Sequence, residues 1–273
     1  MRRDFSALKY GAIVLLLSAV LAVILITGAA EADFVQNPGI SGTRSTSYEQ
    51  KLSQIYSDAL ESENPAVLSF AYLRISPENA GNYSVAQAFD LWDFTNKNWI
   101  IISDPRGPEY VSSATGTIRA GMRGDCDDYS VFLSSLIMSA GGRCRIVTAQ
   151  GAENMPGHAY PELFIGNNES EVKDFCKSVV ARYGCEKVYY SFNGEDEKTA
   201  YWLNLDWIIP KVFGPDYYTY GNSRAEIDMY HPGRVYYPSG TVTFYYGDGI
   251  WKKDSPSHGY YMRKFGEDTL NVL

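Results

Sequence analysis

The sequence predicts a domain that contains both helices and strands and that follows an apolar N-terminal helix. Three observations support this: an uncharged run at residues 11–30, helical spacing of apolar residues between residues 48 and 140, and alternating strand patterns from residue 143 onward. The composition of the 273 residues, 45% hydrophobic and 21% charged, is that of an ordinary globular chain. Such a length fits one large domain, or one domain with a small appendage.

Residues 11–30 carry no charged side chain, and a helix of this length spans about 30 Å, the thickness of a bilayer core. Arg2, Arg3 and Lys9 precede the run, and an excess of basic residues keeps that flank in the cytoplasm. We therefore expect a transmembrane anchor and an extracytoplasmic domain. A cleaved signal segment, which would give a secreted protein, is the alternative, because residues 30–32 have the small-x-small form of a cleavage site.

The elements after the anchor follow from local patterns. These predict a linker at residues 31–45, a helix from Tyr48 to Ala59 that stops before Pro65, and a helix from Ser84 to near Trp99. A connection at residues 104–124 and a helix from Gly124 to Gly141 follow. The remaining predicted elements are strands at residues 143–149 and 159–165, a helix at residues 170–182 and a strand at residues 200–206. The helix after Gly124 is apolar almost all round, so we expect it at the centre of the fold.

The domain boundaries follow from the same patterns. We predict one domain over residues 46–212 and a β-structured extension over residues 213–273, in which tyrosines are dense. Aromatic clusters of this kind are more often half-buried strand residues than binding surfaces for sugars or peptides. The net charge of −8 and the pI of about 5.0 argue against a nucleic-acid partner, because a phosphate-binding surface is basic.

Four cysteines, Cys126, Cys144, Cys176 and Cys185, contain no C-x-x-C pair, and the three histidines are scattered. We therefore expect no zinc site and no bound cofactor. Cys176 and Cys185 are close enough in sequence to close a small disulfide loop, which leaves Cys126 and Cys144 as thiols or as a second pair. His231 and His258 are expected at the surface.

Cys126 lies in the first turn of the predicted central helix, where backbone N–H groups have no intrahelical acceptor. These groups can stabilise a thiolate or an oxyanion that forms on a substrate carbonyl. His158 heads one predicted strand and Asp206 ends another. If the two strands are neighbours packed on the helix, His158 can take the thiol proton and Asp206 can fix the imidazole tautomer.

Three acidic residues surround the candidate nucleophile. The charges of Asp125, Asp127 and Asp128 should raise the pKa of the thiol unless their carboxylates serve as helix caps. The three-residue spacing of Asp125 and Asp128 is that of a capping box. We expect caps rather than calcium ligands, because no twelve-residue loop with ordered oxygen spacing is present.

Three short motifs resemble the transglutaminase-like superfamily. Residues 124–130 (GDCDDYS) are similar to its cysteine helix, residues 158–162 (HAYPE) to its histidine strand and residues 202–206 (WLNLD) to its aspartate strand. Residues 103–124 are also similar to the bacterial and archaeal group of transglutaminase-like cysteine peptidases. The likeness covers about residues 85–210 and includes the motifs in the family's order.

The resemblance implies an α+β, papain-like fold in which a helix that bears the cysteine packs on an antiparallel sheet. It further implies acyl transfer through a thioester, with Cys126 as nucleophile, His158 as base and Asp206 as orienting group. Water as acceptor gives a peptidase or amidase acting on protein or peptide substrates, and an amine as acceptor gives a cross-linking acyltransferase. The alternative is a non-catalytic, membrane-anchored surface module that binds a protein or glycan partner.

Overall fold

The computed structural model describes residues 34–36, 46–104, 110–149, 157–185, 188–193, 200–206, 231–233, 242–254 and 260–265. The predicted anchor, most of the linker, His258 and most of the tyrosine-rich segment lie outside these residues. Within them, no helix combines the length and the apolar character needed to cross a membrane.

Six α-helices lie within the described residues. They are α1 (Thr46–Leu60), α2 (Pro65–Tyr72), α3 (Val85–Asn98), α4 (Ala114–Ala120), α5 (Cys126–Ser139) and α6 (Glu169–Tyr183). The predicted helices correspond to α1, α3, α5 and α6. The sequence analysis missed α2 and α4.

Both missed helices are short and begin with signals that also occur in turns. Pro65 stands at the first position of α2, where its missing N–H costs nothing, and the Asn64 side chain caps the helix by accepting from the Ala66 N–H at 3.0 Å. At α4 the Ser113 hydroxyl accepts from the Gly116 N–H, and the helix ends at Gly121 with φ +81°. Pro65 therefore begins a new helix, and the connection predicted at residues 104–124 contains α4.

The strands are β1 (Phe34–Gln36), β2 (Ile100–Ile101), β3 (Tyr110–Ser112), β4 (Arg123–Gly124), β5 (Cys144–Ala149), β6 (His158–Gly166), β7 (Val188–Asn193), β8 (Ala200–Asn204), β9 (Val242–Tyr246), β10 (Trp251–Asp254) and β11 (Tyr260–Phe265). Among the described residues, seven of them form one sheet in the order β10-β9-β5-β6-β8-β7-β11, and every neighbouring pair is antiparallel. Strands of the predicted C-terminal extension thus lie on both edges of the sheet. β1, inside the predicted linker, pairs with β3, and β2 pairs in parallel with β4.

Helix α5 is the centre of the fold, as its apolar sequence predicts. Its residues from Asp127 to Ile137 are buried, and it packs against β5 and β6 on one side and against α1, α2, α3 and α4 on the others. The predicted α+β class, with the Cys126 helix on an antiparallel sheet, is confirmed.

A buried ion pair joins β5 and β6. Arg145 and Glu162 are directly opposite each other, their side chains are fully buried, and Nη2 of Arg145 lies 2.6 Å from Oε2 of Glu162. The Ser191 hydroxyl donates to the second carboxylate oxygen at 3.0 Å. The rings of Trp202 and Phe244 lie 4.1 and 3.8 Å from the guanidinium carbon. Glu162 therefore stabilises the pairing of β5 with β6.

Candidate active site

Cys126 is the first residue of α5 and follows the short strand β4 directly. Gly124 is required before it, because a Cβ at this position would overlap the side chain of Asp128. The sequence Gly-Asp-Cys thus allows the chain to turn tightly from β4 into the helix. Cys126 is half-buried, whereas most of the helix that follows is buried.

The sheet brings His158 and Asp206 to the same edge. β6 and β8 are antiparallel neighbours, with Glu162 opposite Asn204, so the beginning of β6 lies beside the end of β8. His158 is the first residue of β6, and Asp206 follows β8 by two residues. Their side chains meet there, with Nε2 of His158 at 2.8 Å from Oδ2 of Asp206, and both side chains are almost completely buried.

The thiol of Cys126 lies at this same edge. It interacts with the backbone N–H of Ala159, the residue next to His158, and the charge of the nearby Asp206 raises its pKa. The structure therefore brings the three predicted site residues together, from segments 32 and 48 residues apart in the sequence. Their catalytic roles remain predictions.

The surroundings of Cys126 favour the neutral thiol. Burial raises its pKa well above the ordinary value, the charges of Asp127, Asp125 and Asp206 raise it further, and the Ala159 N–H acts in the opposite direction. The residues around Cys126 thus oppose the loss of its thiol proton. A nucleophile of this kind needs a base that removes its proton during attack.

The contact with Asp206 fixes which nitrogen of His158 can be that base. An ionised carboxylate only accepts hydrogen bonds, so Nε2 must carry the proton that it donates to Asp206. In this tautomer Nδ1 carries the lone pair and is the nitrogen that accepts a proton.

Three carboxylates lie together beside the nucleophile. Asp104, Asp125 and Asp128 each place one oxygen within 4.8 Å of the others, and hard divalent cations prefer such oxygen ligands. Burial, followed by the charges of Asp125 and Asp104, raises the pKa of Asp128 to about 7 despite hydrogen bonds from the Ser112 and Asp125 N–H groups. Asp128 therefore gains and loses its proton near neutral pH, first because it is buried and then because of the two neighbouring charges.

The predicted capping box is only half formed. Asp128 accepts a hydrogen bond from the Asp125 N–H, as predicted. The prediction for Asp125 is wrong: it occupies the N-cap position, but its side chain makes no capping hydrogen bond and its Oδ1 is buried without a hydrogen-bond partner. The N–H of Asp128 is instead satisfied by Oδ1 of Asp127 at 2.7 Å.

The remaining cysteines and His231 are all buried. All four cysteines are free thiols, so the disulfide between Cys176 and Cys185 is not formed and Cys126 is not paired with Cys144. Cys144, Cys176 and Cys185 are buried. The prediction of a surface position for His231 is wrong, since only 3% of it is exposed and its Nδ1 lies 2.8 Å from the Pro232 carbonyl oxygen.

Residues 75–173, which include Cys126 and His158, match the family model described as the transglutaminase-like superfamily. Over these residues the chain is therefore similar to the transglutaminase-like superfamily. The match begins ten residues before residue 85, where the likeness was expected to begin, and it ends before Asp206. It therefore supports the cysteine and histidine motifs and does not reach the aspartate motif. Sequence reasoning missed Asp104 as a neighbour of the site, because only the pairing of β2 with β4 brings it there.

Two further comparisons concern the whole chain. It is similar to the crystal structure of a candidate cysteine protease from Cytophaga hutchinsonii, with 15% sequence identity and a TM-score of 0.35. The similarity covers 77% of this chain and 53% of that one, which is about half of its length. A comparison with curated protein sequences gives no match.

Proposed function

We propose that this chain is a thiol enzyme that cleaves amide bonds of proteins or peptides through a thioester on Cys126. His158 acts as the general base and Asp206 as its orienting group. Hydrolysis is the main reaction, and transfer to an amine is the secondary one, because water is always present whereas cross-linking needs a site that favours an amine. The domain faces the outside of the cell, and residues 11–30 anchor it in the membrane.

The observation that supports this proposal most strongly is the convergence of three segments at one sheet edge. Nε2 of His158 lies 2.8 Å from Asp206, and the Cys126 thiol interacts with the amide next to His158. An imidazole oriented by a buried carboxylate, with a thiol at the neighbouring backbone amide, supports nucleophilic catalysis. Cys126 is also a free thiol, whereas the non-catalytic alternative would be favoured by a disulfide at this position.

The proposed reaction begins when Nδ1 of His158 takes the proton of Cys126 while the sulfur attacks the amide carbonyl carbon. The donor to the oxyanion that forms is the backbone N–H of Cys126, because an N–H at the first position of a helix has no intrahelical acceptor. Collapse of the tetrahedral intermediate breaks the C–N bond, and the imidazolium gives its proton to the leaving amine. Water, deprotonated by His158, then attacks the thioester, which releases the acid and restores the thiol.

The test is hydrolysis of fluorescently labelled casein by the full-length chain and its variants, with incorporation of a fluorescent primary amine measured in parallel. We expect Cys126→Ala to abolish both reactions, and His158→Ala and Asp206→Asn to lower the rate by about 10²–10⁴-fold, as for other triads. Cys144→Ala is the matched control, because this thiol is buried away from the site.

The outcomes distinguish the two functions. Activity that survives Cys126→Ala would refute the assignment of the nucleophile. A folded wild-type chain that processes neither casein nor an amine, and whose Cys126 does not react with thiol reagents, would favour the binding module.

A further inference from the structure

The peptide that carries Asp206 is held by hydrogen bonds from several directions. The Leu205 carbonyl oxygen accepts from Nε1 of Trp92 at 3.1 Å and from the Tyr129 hydroxyl at 3.3 Å. The Leu205 N–H donates to the Pro161 carbonyl at 2.9 Å, and the Asp206 N–H donates to Oδ1 of Asn204 at 2.7 Å. All of these bonds lie in the buried interior, where backbone polar groups are costly to leave unpaired.

These bonds come from the elements that carry the other two site residues. Tyr129 lies one helical turn after Cys126 on α5, so its hydroxyl connects the nucleophile helix to the residue before Asp206. Pro161 lies on β6, three residues after His158, and connects the histidine strand to the same peptide. The Leu205 peptide is thus the point at which all three segments of the site are joined.

Tyr129 is suited to a fixed role at this junction. It is completely buried, and its ring packs edge-on against Trp99 with 5.3 Å between the ring centroids. Its single hydroxyl hydrogen is shared between the Leu205 carbonyl and Oδ1 of Asn96, which lies 3.2 Å away. The ring therefore cannot turn without breaking contacts, and the hydroxyl is held where the Leu205 carbonyl needs a donor.

We propose that Tyr129 is a positioning residue that, through the Leu205 carbonyl, keeps the Asp206 carboxylate on Nε2 of His158. Its effect on the reaction rests on the proposed function, but its effect on His158 does not. The backbone of a residue that follows a strand is free to rotate unless its polar groups are fixed. Tyr129 and Trp92 fix the carbonyl before Asp206, and Asn204 fixes the N–H of Asp206 itself.

The test compares Tyr129→Phe with the full-length wild-type chain. Loss of the hydroxyl keeps the ring and its packing on Trp99, so we expect a folded protein. The first measurement is the rate of alkylation of Cys126 by iodoacetamide at pH 7.5, resolved by peptide mass spectrometry; we expect about a three- to tenfold decrease, the effect of one buried hydrogen bond. Tyr183→Phe is the matched control, because it also removes one hydroxyl, which donates to Asp93 at 2.9 Å, and it keeps the ring that packs on Trp92.

The second measurement does not depend on the reactivity of Cys126. The ¹⁵N chemical shifts of selectively labelled histidine report which ring nitrogen of His158 is protonated. We expect the Nε2–H tautomer in the wild-type chain and in Tyr183→Phe, and a mixture of tautomers in Tyr129→Phe. Asn204→Ala should act in the same direction, because it removes the acceptor of the Asp206 N–H.

Failure of the proposed function and failure of the inference about Tyr129 give different results. Lack of alkylation of wild-type Cys126 would contradict the proposed function, while the tautomer of His158 would still decide the role of Tyr129. A Tyr129→Phe variant that loses stability but keeps the wild-type tautomer would show a merely structural residue and overturn the inference.

Discussion

The charge of Asp127 should suppress the reactivity of Cys126. Asp127 is 4% exposed, and after burial its charge is the largest cause of the raised pKa of the thiol. Asp127→Asn removes this charge but keeps the oxygen that accepts from the Asp128 N–H at 2.7 Å. We therefore expect a lower thiol pKa and faster alkylation, with the first turn of α5 intact.

The magnitude follows from Coulomb's law. Two unit charges about 4 Å apart interact by about 1 kcal/mol in water and about 4 kcal/mol at an effective dielectric constant of 20. We take the lower end as a minimum, which changes the thiolate fraction about fivefold. A thiolate of lower pKa is a weaker nucleophile, with a Brønsted slope of about 0.4–0.5, so the net gain in rate is about two- to threefold.

The assay is the second-order rate constant for iodoacetamide at pH 7, measured on the peptide that contains Cys126. The matched control is Asp174→Asn, which removes an exposed charge on α6 and should leave the rate unchanged. An unchanged or slower reaction of a folded Asp127→Asn variant would refute the electrostatic account of this thiol.

Three further predictions concern stability. The pKa of Asp128 in the folded chain is about 7, above its ordinary value, so the contribution of Asp128 to stability is complete below about pH 4 and is lost as the pH rises through 7. The free energy of unfolding in urea should therefore decrease by a few kcal/mol between pH 5 and pH 8, and Asp128→Asn should remove most of this decrease. An increase over this interval would contradict the prediction. Gly124→Ala places a methyl group on the Asp128 side chain and should cost about 2–4 kcal/mol, seen as a lower melting temperature; an unaltered temperature would show that Asp128 can move away freely. Glu162→Gln leaves the Arg145 charge buried and should cost about 3–5 kcal/mol in urea unfolding, and a loss below 1 kcal/mol would mean that Arg145 finds another partner.

The parts of the site that the sequence predicted are those with a local signal. The long apolar pattern of α5 and the alternation of β5 and β6 are visible in single segments, and the sheet register then places His158 beside Asp206. The short helices α2 and α4 were missed because their caps are also turn signals. Strand β7 was missed, and its pairing with β8 and β11 depends on residues far apart in the chain.

The acidic residues around Cys126 show why the rest of the site needs the structure. The spacing of Asp125 and Asp128 predicts a capping box. In the structure Asp128 accepts a hydrogen bond from the Asp125 N–H, but the Asp125 side chain makes no capping hydrogen bond. Asp104 reaches them through the β2–β4 pair, 21 residues before Asp125, and this long-range contact leaves no trace in local sequence. The hydrogen bond of the Tyr129 hydroxyl could not be predicted from local sequence either, because its acceptor, the Leu205 carbonyl, lies 76 residues away.

The most direct test of the account is the rate at which each of the four cysteines in the native full-length chain reacts with iodoacetamide. We predict that Cys126 reacts first at neutral pH and that His158→Ala slows this reaction, because the base beside the thiol is removed. Equal rates for Cys126 in the wild type and His158→Ala, or faster labelling of Cys144, would show that the three segments do not form one reactive centre.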